Sequence, residues 1–192
     1  MKKLFQKILL VLSLFLLLEK ESIASSEKLS EDDSIYGLSI HLTDQDGKKL
    51  GLDVYKGQYV VMSLFYASCN YTCPILIDAL KKMDAALDEK TRLKTRILLI
   101  SFDPENDTPA VLKKLALQHK LDLSRWKLAS PEKNEVRDIA ALLGFTYRSI
   151  PEGGFNHTSG VTLLNPLGIP LLQEEGLARI AELIPEKLKK EF

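Results

Sequence analysis

Tyr59-Val60-Val61-Met62-Ser63-Leu64-Phe65-Tyr66-Ala67-Ser68-Cys69-Asn70-Tyr71-Thr72-Cys73-Pro74 decides how this chain folds. Residues 59–65 form a nearly continuous apolar run, the pattern of a strand covered on both faces. From Pro74 onward Ile75, Leu76, Ala79, Leu80, Met83 and Leu87 recur at intervals of three and four, so a helix starts there with Pro74 in its first turn. Cys69 and Cys73, the only cysteines of the chain, therefore fall at a strand-to-helix junction. A cysteine at a helix N-terminus faces unpaired backbone N–H groups and the positive end of the helix dipole, and both favour the thiolate. Two such thiols four positions apart can close as a disulfide or hold one soft metal ion together.

The same reading extends in both directions. Before the junction, 38–42 and 48–52 flank the turn Asp44-Gln45-Asp46-Gly47 and predict a β-hairpin. After it, 96–102 is a second buried strand, and Asp103-Pro104-Glu105-Asn106-Asp107-Thr108-Pro109 turns into a helix through about His119, capped by Asp107 or Thr108. A short strand at 126–128 precedes a helix over 131–143 that Gly144 ends. Then come a short strand at 145–148, a loop over 151–160, and two strands at 161–164 and 169–172 joined by Asn165-Pro166-Leu167-Gly168. A final amphipathic helix, 177–190, is interrupted by Pro185. Strands alternating with helices, with cysteines at the first strand-to-helix junction, predict an α/β thioredoxin-like fold: a central mixed sheet, helices on both faces and an N-terminal β-hairpin.

The N-terminus reads as an export signal. Lys2, Lys3 and Lys7 precede the apolar run 8–18, and Ser22-Ile23-Ala24 offers a small-x-small cleavage pattern. The division expected is a signal peptide at 1–24, which is an anchor if uncleaved, a flexible tether at 25–35 and the thioredoxin-like domain at 36–192. The body then lies outside the cytoplasm. Removing residues 1–24 leaves 22 basic against 24 acidic residues, a net charge of −2. That balance gives no electrostatic case for nucleic acid, which needs clustered cations. In an oxidising compartment a structural disulfide is the bland reading of two cysteines. A loop this short contributes only about 2 kcal/mol on the chain-entropy model, so it is poor at that task.

Two thiolates do not complete a metal site. His119, at a polar helix end, and His41, on the hairpin, read as surface residues. His157 lies in Gly153-Gly154-Phe155-Asn156-His157-Thr158-Ser159-Gly160, a flexible polar loop that opens toward the cysteine-bearing helix end. A ligand and an ordinary loop histidine are both open readings of it. Thiolates with imidazole suit Cu(I) and also zinc, and the want of a fourth Cys or His tilts the choice toward copper.

Three separated motifs resemble the Sco/SenC family of copper chaperones. They are Cys69-x3-Cys73-Pro74, then 101–109 (Ser-Phe-Asp-Pro-Glu-Asn-Asp-Thr-Pro), then Phe155-Asn156-His157-Thr158 ahead of 163–168. The resemblance implies a domain in the periplasm or on the outer face of the cytoplasmic membrane, with copper, Cu(I) or Cu(II), bound by Cys69, Cys73 and His157. It implies a metallochaperone, not an enzyme, that serves the dinuclear copper centre on the copper-bearing subunit of cytochrome c oxidase. Other periplasmic copper carriers or thiol reductases would be further partners. Asp103 and Asp107 match the family's acidic turn; a turn residue and a helix cap explain both, while support of the copper site or partner contact is the functional alternative. Tyr66 and Tyr71 flank the thiols as walls. Two departures stand out: Asn70-Tyr71-Thr72 between the cysteines, and a neutral Asn156 where an acidic residue often precedes the histidine. The rival reading is a thiol–disulfide oxidoreductase or redox sensor using Cys69 and Cys73. Against it, Ser159-Gly160 stands where such reductases usually carry a cis-proline.

Overall fold

The computed structural model describes residues 34–69, 71–151 and 154–192. The signal segment and residues 25–33 of the expected tether lie outside them. Its centre is a seven-stranded sheet of β1 (Leu42–Asp44), β2 (Lys49–Leu50), β3 (Tyr59–Phe65), β4 (Thr95–Ser101), β5 (Trp126–Pro131), β8 (Gly160–Leu164) and β9 (Pro170–Glu175). Their order is β2-β1-β5-β4-β3-β8-β9. β3, β4 and β5 run parallel, whereas β1 pairs with β5, and β8 with β3, antiparallel. Every residue of β3 is buried, as a strand covered on both faces requires. The helices are α1 (Thr72–Ala86), α2 (Glu89–Leu93), α3 (Pro109–Gln118), α4 (Val136–Leu142) and α5 (Ile180–Lys189). α1 packs against α5, and α3 against β5 and β1. This is the thioredoxin-like arrangement of a mixed sheet with covering helices that the chain order predicts.

Several boundaries move, each for a physical reason. Ser34 and Ile35, placed with the tether, are docked: Ile35 is 3% exposed and its N–H donates to the Gly168 carbonyl at 3.0 Å. The N-terminal hairpin is shorter than 38–52: its strands are only Leu42–Asp44 and Lys49–Leu50, and Leu52 opens a 3-10 turn over 52–55. Residues 131–143 do not start as a helix. β5 runs to Pro131 to pair with Leu42, and a capping box between Glu132 and Glu135 then opens the turn that leads into α4. Pro185 does not break α5, which buries Ile180, Ile184 and Leu188 along one stripe.

The largest difference concerns the loop 151–160. Phe155–His157 is a strand, β7, paired antiparallel with β6 (Tyr147–Ser149) so that Tyr147 faces His157. His157 thus sits on a small hairpin, not in an open loop. Gly160, just beyond, has no room for a side chain: a Cβ there would meet the Glu174 carbonyl oxygen at 2.4 Å.

Candidate metal centre

Cys69 follows β3 by one tight turn, in which its N–H donates to the Tyr66 carbonyl at 3.2 Å. Cys73 is the second residue of α1, and its N–H donates to the Cys69 sulfur at 3.4 Å. The sulfur thereby does the work of a capping oxygen at a helix end where Tyr71, in the cap position, makes no side-chain bond. Both thiols are free and buried, at 9% and 5% exposed, while Tyr71 stands 85% exposed beside them.

The two thiols are electrically unequal. Burial alone would raise the Cys69 thiol, but the N–H groups of Cys73, Tyr71 and Thr72 and the Cys73 thiol hold it below the ordinary range. Burial pushes the Cys73 thiol far up, and the Cys69 thiolate and the Asp107 carboxylate add to this against a bond from Tyr66. Cys69 is therefore the readier of the two to give up its proton, and Cys73 the one that holds it. With one equivalent of iodoacetamide at pH 7, alkylation is expected at Cys69 about tenfold or more over Cys73, read by peptide mass spectrometry. Equal labelling would contradict this polarity.

Aromatic rings join the thiols to the hairpin. The Tyr66 ring lies 5.0 Å from Phe102, 5.1 Å from Phe155 and 5.8 Å from His157 between centroids. Its hydroxyl faces the Cys69 thiol and the Phe155 N–H. Gly154, at φ +86, keeps the hairpin close, since a Cβ there would stand 3.4 Å from that hydroxyl. His157 is half-buried, packs 5.0 Å from Phe102, and places Nδ1 2.9 Å from the Thr158 carbonyl. A carbonyl only accepts, so in the neutral ring Nδ1 carries the proton and Nε2 keeps its lone pair for a ligand. Cys69 and Cys73 are brought together, and His157 touches them through Tyr66. Among the described residues no three His, Cys, Asp or Glu side chains converge closely enough to hold a metal ion.

Asp107 is not a helix cap. Thr108 occupies that position for α3, and Asp107 is turned inward, 2% exposed. Its Oδ2 accepts from the Ala67 N–H at 2.9 Å and from the Ser101 hydroxyl at 2.6 Å, and its carbonyl accepts from Ser130 at 2.6 Å. Burial raises its carboxyl, and Asp103 adds to that, against the bonds from Ser101 and Ala67. One residue thus ties the cysteine turn to the ends of β4 and β5. Asp103 is a turn residue whose carbonyl receives the Asn106 and Asp107 N–H groups. The other histidines are engaged by different partners: His41 binds Glu135 through Nδ1 at 2.7 Å, and the His119 carbonyl receives Lys81 at 3.1 Å.

The chain that builds this helix-end thiol pair and hairpin histidine matches the SCO1/SenC family description over residues 30–186. The chain belongs to the SCO1/SenC family. Its relatives include the SCO1 protein homolog of Bacillus subtilis, 28% identical over 137 residues, 70% of each chain. Yeast SCO2, a mitochondrial protein of Saccharomyces cerevisiae, is 26% identical over 90% of this chain and 62% of that one. Among solved SCO1/SenC structures, copper-bound ScoI of Bradyrhizobium japonicum superposes with a TM-score of 0.68 at 24% identity, covering 80% of this chain and 97% of that one. A structure of BsSco, described as a member of the Sco family of cytochrome c oxidase assembly proteins with a disulfide switch, gives 0.68 at 26%, covering 81% and 92%.

The sequence names Tyr66 as a wall beside the thiols and Asp107 as a cap or a support of the site; what it does not report is that Tyr66 also contacts the histidine hairpin and that the Asp107 side chain is a buried tie.

Proposed function

We propose that this chain is an extracytoplasmic copper-binding assembly factor that takes one copper ion on Cys69, Cys73 and His157. Its cargo would pass to the copper-bearing subunit of cytochrome c oxidase. The observation that carries this is the donor set: two free sulfurs and an imidazole with Nε2 open, on elements joined through Tyr66. Two sulfurs and one imidazole fit a soft, low-coordinate ion. Copper is bound in the related structures from Bradyrhizobium japonicum, Arabidopsis thaliana and yeast. Binding requires the His157 imidazole and the two sulfurs to come closer together than they stand among the described residues. Asp107 supports the cysteine turn from below. No described helix is long and apolar enough to cross a membrane, and the extracytoplasmic placement rests on the N-terminal export pattern.

The polarity of the thiols favours a second use of the same pair. The Cys69 thiolate attacks one sulfur of a partner's disulfide, and Cys73, giving up its proton as it attacks, then displaces the partner from the mixed disulfide. Cys69 and Cys73 lose two electrons to form their own disulfide, and the partner's disulfide gains them and leaves as two thiols, one taking the Cys73 proton and the other a proton from solvent. His157→Ala separates the uses. Loss of Cu(I) affinity by about 100-fold or more, with disulfide exchange intact, is the result expected of copper carriage. Undiminished affinity in anaerobic titration would remove His157 from the site.

A further inference from the structure

The charges of this domain are sorted between the two ends of its sheet. One end is built from the segments entering β3, β4 and β5, namely 44–58, 87–96 and 119–127, with 189–192 joined to it where Phe192 packs on Tyr59. These segments carry twelve basic and seven acidic residues. The cysteine end, taken as 102–108, 132–135, 144–151, 154–159 and 174–179, carries seven acidic and three basic residues. A nearly neutral domain is therefore polarised along its strands.

At the basic end Lys48, Lys49, Lys56, Lys94 and Arg96 have no carboxylate within ion-pair distance among the described residues. An open cleft of about 190 Å³ lies between Lys48, Arg96, Lys127, Gln58 and Tyr55, with the Asp44 carboxylate already paired to Lys127. Gln58 Oε1 is buried there with no partner in the structure, and turning the carboxamide over presents two N–H donors to an anion. Val54 and Leu93, 52% and 65% exposed, stand among these cations. The chain also enters the domain at this end: Ser34 and Ile35 are held by the Leu167 and Gly168 carbonyls.

We propose that the basic end is a membrane-facing surface that seats on the anionic headgroups of a phospholipid bilayer. Unpaired lysines with exposed aliphatic side chains between them suit an acidic lipid interface. The described chain begins at this same end, at Ser34, and the sequence before it carries the apolar run 8–18. The seven residues of β3 then hold the acidic, cysteine-bearing end roughly 20 Å further from the bilayer, turned outward to partners. This rests on the extracytoplasmic reading above.

The test uses the full chain in nanodiscs of phosphatidylcholine, with or without phosphatidylglycerol, followed by amide hydrogen exchange. Exchange over 44–58 and 88–96 is expected to slow only in the anionic discs. The protection should vanish at high salt, and weaken about fivefold in each of the Lys48→Gln, Lys56→Gln and Lys94→Gln variants. Equal exchange in both discs, or protection at the cysteine end instead, would overturn the proposal. Equal protection by inorganic phosphate without lipid would reduce the surface to a small-anion site and overturn it too. Protease digestion of intact spheroplasts reports separately on the extracytoplasmic reading, which fails if the domain is shielded there.

Discussion

The Cys69→Ser, Cys73→Ser double variant is expected to lose Cu(I) affinity by about a thousandfold or more in an anaerobic titration against a competing chelator. Serine keeps the size and the helix-end position but offers a neutral, hard oxygen where a soft ion wants thiolate. The fold should survive, because the serine hydroxyl that replaces the Cys69 sulfur can still accept the backbone N–H at position 73. Unchanged affinity would end the copper proposal. The wild type adds a pH signature. The Cys73 proton, held by burial and by the neighbouring thiolate, must leave when copper binds. Affinity should therefore fall about tenfold for each unit of acidification over the range where Cys73 is protonated in the free protein.

What could be read in the chain, and what could not, follows from the range of the forces involved. The strand at 59–65 and the strand near 96–102 declared themselves because full burial demands unbroken apolar runs, and the structure buries every residue of β3. The cysteine junction was equally legible, since strand and helix periods change across it. Asp107 was not. A carboxylate before Thr108-Pro109 has the local pattern of a cap, but its side-chain partners Ala67 and Ser101 lie 40 and 6 residues away, and no local rule reports them. His157 was misplaced on a loop for a related reason. Gly153-Gly154 reads as freedom, whereas the short β6–β7 hairpin is held by Tyr147 and Phe155 packing on Phe102 and Tyr66. Tertiary contact overrode the local signal at both positions. Both positions touch the candidate site, where the residues serve the arrangement of the sulfurs as well as their own segment.

Asp107→Ala is expected to damage the protein heavily although Asp107 is not among the proposed ligands. It leaves the Ala67 N–H and the Ser101 hydroxyl buried without their acceptor, and each orphaned group costs about 1–3 kcal/mol. A total near 3 kcal/mol corresponds to a fall in Tm of roughly 10 °C for a domain of this size. The cysteine turn, which hangs from the Ala67 bond, should loosen with it, so the preference of alkylation for Cys69 should shrink. Asp107→Asn keeps one acceptor oxygen and removes the buried charge, which makes pH the decisive variable. The folded-state carboxyl is raised above its unfolded value, so its stabilising contribution is fully present below the unfolded pKa and is lost as pH rises through the folded one. Stability of the wild type relative to Asp107→Asn should therefore decline from acid toward neutral pH, measured by urea unfolding across that window. A gap that stayed constant or moved the other way would mean that the carboxylate is ionised at little cost, and that its bonds to Ala67 and Ser101 outweigh its burial.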